Sequence, residues 1–156
     1  GLQTIHPKTS LFINRCHTLE CFEECVKNLR ERNINVVVHI INGLPYETED
    51  MMLDTIRHIN TLDIQGIKIH MLHIIKDTGM ANLYLNEGFH VLSKEEYIDI
   101  VISCQKEDGR ICPPNDTEAF SNDLWSMFLI LKVLTIYAEV SQDSKAAEVI
   151  LKGLQY

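Results

Sequence analysis

The chain has 156 residues, enough for one domain with a sizeable core, and its 46% hydrophobic and 23% charged content is ordinary globular composition. A net charge of −8 argues against a broad nucleic-acid-binding face, while leaving a local basic patch open. No apolar run reaches membrane-spanning length, since the most apolar stretch, Leu124 to Val140, is interrupted by Lys132.

Gly1 to Gln3 reads as the end of a strand, and Thr4 to His17 as the loop and short helix after it. A helix is predicted from about Leu19 to Arg32, where Phe22, Cys25, Val26 and Leu29 form one apolar stripe. Lys27, Arg30 and Arg32 suit its carboxyl end, and Asn33 suits a left-handed stop. Val36 to Ile41 follows, a short β-branched run around His39. That pattern predicts a strand buried on both faces, as in a parallel sheet covered by helices. It breaks at Asn42-Gly43-Leu44-Pro45, and the loop at the carboxyl end of such a strand is where α/β folds bind ligands.

Thr48 can cap the next helix, with Glu49 and Asp50 in its first turn and Met52, Ile56 and Ile59 as its buried stripe. Ile67 to Ile74 is a further predicted parallel strand. It carries His70 and His73, which on a strand point to opposite faces and cannot easily share a metal. One of the two is expected to face the interior near a substrate, and the other to pack. Lys76 to Leu92 reads as a long loop with one helical turn at Met80 to Leu85. Ser93 to Glu96 is a capping box opening a helix with Tyr97, Ile98, Val101 and Ile102. Residues 105–116 are loop-forming. Asn122 to Val140 and Ser144 to Leu154 then form a helical hairpin, whose first helix is apolar nearly all round and calls for burial on all sides. Alternating strands and helices with short links predict a parallel α/β sheet.

The five cysteines, Cys16, Cys21, Cys25, Cys104 and Cys112, form no dense framework and point to a reducing, cytoplasmic setting. Cys21 and Cys25 are expected to act as small apolar residues on or near a packed helix face.

Four motifs occur in a particular order: Gly1-Leu2-Gln3-Thr4; Asn14-Arg15, with Arg15 twelve residues after Gln3; Gly43-Leu44-Pro45; and the run Leu62 to His70. Together they resemble the radical S-adenosylmethionine (radical SAM) superfamily, in the branch that includes anaerobic coproporphyrinogen oxidase and an uncharacterised bacterial group. The resemblance covers about residues 1–103. It implies a partial parallel (β/α) barrel fragment, three strands with helices, followed by the helical hairpin as a second segment, 104–156, of uncertain origin. It also implies a parent enzyme that binds a [4Fe–4S] cluster and S-adenosylmethionine and generates a 5′-deoxyadenosyl radical.

By the same resemblance, Gln3 contacts the ribose, Arg15 binds the methionine carboxylate, and the backbone around Gly43 meets the adenine edge. A carboxamide suits a hydroxyl, and a guanidinium fork suits a carboxylate. His39 stands where the family often has Asp; it either bonds the ribose hydroxyls or is a satisfied core histidine. Glu47 supports the helix start. The four site residues are expected to converge at the carboxyl end of the sheet. The family's CxxxCxxC is absent, and the gaps among Cys16, Cys21 and Cys25 do not match it. The chain alone is therefore expected to be inactive and to need the missing N-terminal half of the barrel as its partner, with a tRNA or a small molecule as substrate and no membrane. Residues 107–156 resemble a helix pair of β-L-arabinofuranosidase-type (α/α) barrel glycoside hydrolases. That gives the alternative reading, a non-catalytic helical interaction module or a fragment of such a hydrolase.

Overall fold

The computed structural model describes residues 1–109, 111 and 124–155, the side chains of 124–127 excepted. Cys112 and half of the loop-forming stretch lie outside the described residues. The chain forms two compact units, Gly1–Leu92 and Ser93–Tyr156.

The first unit begins with α1 (Pro7–Phe12), where Pro7 sits at the helix start and loses no intrahelical hydrogen bond. Helix α2 (Leu19–Arg30) is capped by Thr18, whose side chain accepts from the Cys21 amide. Asn33 takes the left-handed conformation (φ 57°) expected of a stop. Strand β1 (Val37–Asn42) leads through the Gly43 loop to α3 (Glu49–Ile59), capped by the Thr48 side chain on the Met51 amide. Strand β2 (Gly66–Met71) then pairs with β1 in parallel, from Val37 opposite Gly66 to Asn42 opposite Met71.

The core lies between the sheet and its helices. Leu2, Val26, Val38, Ile40, Ile56 and Ile59 pack in one cluster, and burying each large aliphatic side chain contributes about 1.5–3 kcal/mol. β1 departs from the expected burial on both faces: Val38, Ile40 and Asn42 are buried, whereas Val37 and His39 are exposed. The reason is that the packed cluster holds residues from α2 and α3 together with only one face of the strand.

The first expected strand is reduced to a single parallel bridge between Gln3 and Ile40. The Leu2 and Gln3 amides both donate to the His39 carbonyl, and the Ile41 amide donates to the Gln3 carbonyl. Gln3 itself has φ 60°, outside the β region, so pairing cannot continue past it. β2 stops at Met71 rather than Ile74, because β1 turns away after Asn42, whose carbonyl takes the last bond from the Leu72 amide. Among the described residues the sheet has the order β1-β2, so β2 is an edge.

The stretch read as a loop contains a full helix, α4 (Gly79–Glu87), capped by Thr78 and closed by Gly88 in the left-handed conformation. Aromatic rings link the loops beyond the strand ends: Phe12 meets Tyr46 edge-on at 5.5 Å between centroids, and Phe89 lies 6.4 Å from Tyr46 and 5.4 Å from Tyr84.

In the second unit, α5 (Lys94–Ser103) has the full capping box expected of Ser93 and Glu96. Its Ile98 and Ile102 pack with Leu134 of α6 (Leu124–Ser141) and with Ala146 and Val149 of α7 (Ser144–Gln155). α6 is not buried all round: Leu131 and Leu134 are buried, but Leu129, Val133, Ile136 and Val140 are exposed. Within this unit α5 and α7 cover one side of it. Gly153 is needed for that contact, since a Cβ there would lie 2.7 Å from a Leu131 methyl. Among the described residues, no helix is long and apolar enough to cross a membrane.

Candidate functional site

Two loops meet past the carboxyl ends of the Gln3 segment and β1. Thr4, buried behind Gln3, donates its hydroxyl to Glu47 Oε1 at 2.5 Å and accepts from the His6 amide at 3.1 Å. His6 Nε2 donates to the Met51 carbonyl at 2.8 Å. The chain after Gln3 is thus fastened to the chain after β1 by side chains. Glu47, read from sequence only as support for α3, is the charged acceptor of that fastening. Its neighbour Tyr46 sits at φ 66°, a conformation that costs a bulky residue energy and is held by the surrounding contacts.

Arg15 reaches the same place from the connecting loop. Asn14 and Cys16, on either side of it, both have positive φ (56° and 64°), which turns the chain sharply at Arg15. Its Nη1 donates to the Leu2 carbonyl at 2.8 Å and to the Thr4 carbonyl, and its Nε donates to the His17 carbonyl at 3.0 Å. The guanidinium therefore straddles Gln3. Burial lowers its pKa from the ordinary arginine value, and the nearby Glu20 carboxylate partly counters this. Nη2 has no acceptor among the described residues. A partly desolvated cation with free donors fits a carboxylate chemically.

The other expected residues are placed less uniformly. In the orientation that satisfies both its ends, the Gln3 amide nitrogen donates to the Gly1 carbonyl at 2.7 Å and the Leu2 carbonyl at 3.2 Å, so the side chain is folded on its own backbone. His39 is exposed, its ring 5.4 Å from that of His70, so it is not a buried core histidine. Gly43 is buried with φ 80°; its amide donates to Met52 Sδ at 3.1 Å, and a Cβ would lie 3.0 Å from a Leu92 methyl. Gln3 adjoins both Arg15, which bonds the carbonyls on either side of it, and His39, whose carbonyl accepts from the Gln3 amide. Gly43 lies three residues past the Gln3–Ile40 bridge, roughly 10 Å along the strand direction.

The cysteines differ from their expected packing. Cys16, Cys21 and Cys25 are free and exposed, because the packed face of α2 is formed by Phe22, Val26 and Leu29, and Cys25 lies off it. Among the described residues no three His, Cys, Asp or Glu side chains are grouped to hold a metal ion. These residues do not fit an iron–sulfur cluster. His73 lies beyond the end of β2 and is exposed, so the opposite-face argument for the HxxH pair does not apply to it.

Comparison with known proteins bears on the same segment. Residues 1–59 match the model of the radical SAM superfamily, and residues 64–107 match that of the radical SAM C-terminal domain. The chain is 48% identical over 101 residues to the uncharacterised protein YtqA of Bacillus subtilis, covering 65% of this chain and 31% of that protein. It is 36% identical over 97 residues to the protein YhcC of Escherichia coli, covering 62% of this chain and 31% of that one. It thus spans under a third of the length of these relatives. A solved structure, Elp3 of the archaeon Methanocaldococcus infernus with an N-terminal deletion, superposes with a TM-score of 0.61 over 67% of this chain and 25% of that one, at 19% identity, a likeness of fold. Residues 1–107 of this chain are a radical SAM superfamily segment.

Proposed function

We propose that this chain contributes part of the S-adenosylmethionine site of a radical SAM enzyme, in the branch related to anaerobic coproporphyrinogen oxidase. The observation that carries this reading is Arg15, a partly buried guanidinium with Nη2 free beside Gln3. Arg15 binds the methionine carboxylate. Gln3 exchanges its local backbone bonds for the ribose, His39 accepts from a ribose hydroxyl through one ring nitrogen, and the adenine edge lies along the backbone at Gly43. Bound together with a [4Fe–4S] cluster, the cofactor supplies radical chemistry in intact members of the family. The cluster ligands belong to other parts of the protein, so this chain acts as one part of a cytoplasmic barrel enzyme, with residues 1–103 as its barrel segment. Its substrate is a tRNA or a small molecule.

Titration of S-adenosylmethionine into the chain, followed by backbone amide resonances, tests this. Gln3, Arg15 and Gly43 are expected to shift together. Arg15→Lys keeps the charge but loses the fork, and is expected to weaken the response with the fold unchanged by circular dichroism. Equal binding by the variant rejects the role of Arg15.

The exposed apolar residues of α6 and α7, among them Val133, Ile136, Val140, Leu151 and Leu154, favour a second reading for residues 104–156 as a non-catalytic helical interaction module. Its likeness to (α/α) barrel glycoside hydrolases rests on sequence alone.

A further inference from the structure

One wall of the first unit carries a charge opposite to that of the chain. Strand register sets it: His39 opposes Lys68, and Ile41 opposes His70. Opposed residues of paired strands share a face, and Val38, Ile40 and Asn42 occupy the buried face of β1. His39, Lys68 and His70 therefore share the other face, with the two imidazole centroids 5.4 Å apart. Neither VVHIIN of β1 nor GIKIHM of β2 contains an acid. The side chains of Lys68, His39 and His70 make no hydrogen bond or ion pair with any described residue. His39 and Lys68 are exposed and His70 is half-buried, and two neighbours on this face, Gly66 opposite Val37 and Gly1 beside His39, carry no side chain. In a chain of net charge −8, this is a local basic surface.

We infer that this wall binds the oxyanion, a carboxylate or phosphate, of a small-molecule substrate. An ammonium and two imidazole N–H groups are donors to one compact anion, and hydrogen bonds of this kind are the strong ones. A metal ion held by the two histidines is disfavoured by the Lys68 ammonium beside them. RNA is disfavoured because one lysine in an acidic chain gives little of the phosphate neutralisation that RNA binding depends on. The inference rests on the proposed cofactor site in calling the bound anion a substrate, and it shares His39 with that site: one ring nitrogen accepts from the ribose hydroxyl and the N–H of the other meets the oxyanion.

The test is a titration of the chain, with its histidine side chains labelled by nitrogen-15, against pyrophosphate and against succinate at constant ionic strength. Saturable shifts of His39 and His70 together are expected with at least one of the two; pyrophosphate alone assigns a phosphate, succinate alone a carboxylate. Lys68→Gln is expected to weaken binding about tenfold, the loss of one charge-assisted hydrogen bond. Lys27→Gln, the same charge change on an exposed position of α2, is expected to leave binding as it was. Shifts that never saturate, or equal weakening by both variants, overturn the inference. A second titration with S-adenosylmethionine, read at the Gln3 and Arg15 amides, separates the two readings. Silence there with a saturating oxyanion response refutes the cofactor site and leaves the wall standing, and the reverse pattern refutes the wall alone.

Discussion

Thr4→Val removes one hydroxyl and keeps the shape of the side chain. In the structure that hydroxyl donates to the Glu47 carboxylate and accepts from the His6 amide, and Thr4 is 1% exposed. A hydrogen bond to a charged group contributes about 1.5–3 kcal/mol, and a buried amide left without its acceptor costs roughly 1 kcal/mol or more. Glu47 is only partly buried, so water can replace some of what it loses. The extra methyl of valine offsets part of the rest. The expected net loss is about 2–3 kcal/mol. The sole tryptophan, Trp125, belongs to the other unit, so its fluorescence is a poor reporter. Amide exchange at Ile41, whose N–H donates to the Gln3 carbonyl, reads the correct region. Its protection is expected to fall by roughly 30-fold to 150-fold if that exchange requires opening of the whole unit. A double-mutant cycle with Glu47→Ala is expected to give a coupling of about 1 kcal/mol or more. A loss under about 0.5 kcal/mol with no coupling refutes the idea that this bond fastens the two loops.

Gly43→Ala places a Cβ 3.0 Å from Leu92 at a positive φ, and is expected to destabilise the first unit by about 1–2 kcal/mol in thermal or urea unfolding; no change would contradict the packing at this loop. Anaerobic iron–sulfur reconstitution of the chain is expected to give no stoichiometric [4Fe–4S] absorbance, because its exposed cysteines are not grouped; an absorbance lost on mutating Cys16, Cys21 or Cys25 would refute this. Burial pushes the Tyr97 phenol above its ordinary value. The folded state then holds that proton longer than the unfolded state. Stability of the second unit is therefore intact below the unfolded phenol's pKa of about 10 and falls as pH rises through the folded one, a slope that Tyr97→Phe is expected to reduce.

Signals carried by a few adjacent residues were legible in the sequence. The Thr48 cap and the Ser93–Glu96 box each bond within their own first turn, so they need nothing from the rest of the chain. α4 has local signals too, Thr78 and Gly88, but it buries no residue and shows no apolar stripe to attract attention. The run Val36 to Ile41 is apolar on both sides, and what decides which side is buried is the placement of helices far away in sequence. The same holds within the site. That Gln3 and Arg15 are neighbours agrees with the motif order, but the capture of the Leu2 and Thr4 carbonyls by Arg15 depends on three loop residues with positive φ. The pairing of His39 with His70 depends on strand register, which spacing along one chain does not encode.

The edge position of β2 has a consequence for association. A strand with a neighbour on one side only presents a row of amides and carbonyls ready to pair with any extended segment. Here that row belongs to six residues, GIKIHM, with Ile69 45% exposed and no proline to block docking. Among the described residues nothing pairs with this edge, so it can take a strand from elsewhere in the protein or, in the isolated chain, from another copy. Lys68 is the one residue of β2 whose charge opposes the stacking of copies. Self-association of the isolated chain is accordingly expected to rise with concentration and with salt, which screens that lysine, rather than to fall as it would for an ion-paired contact.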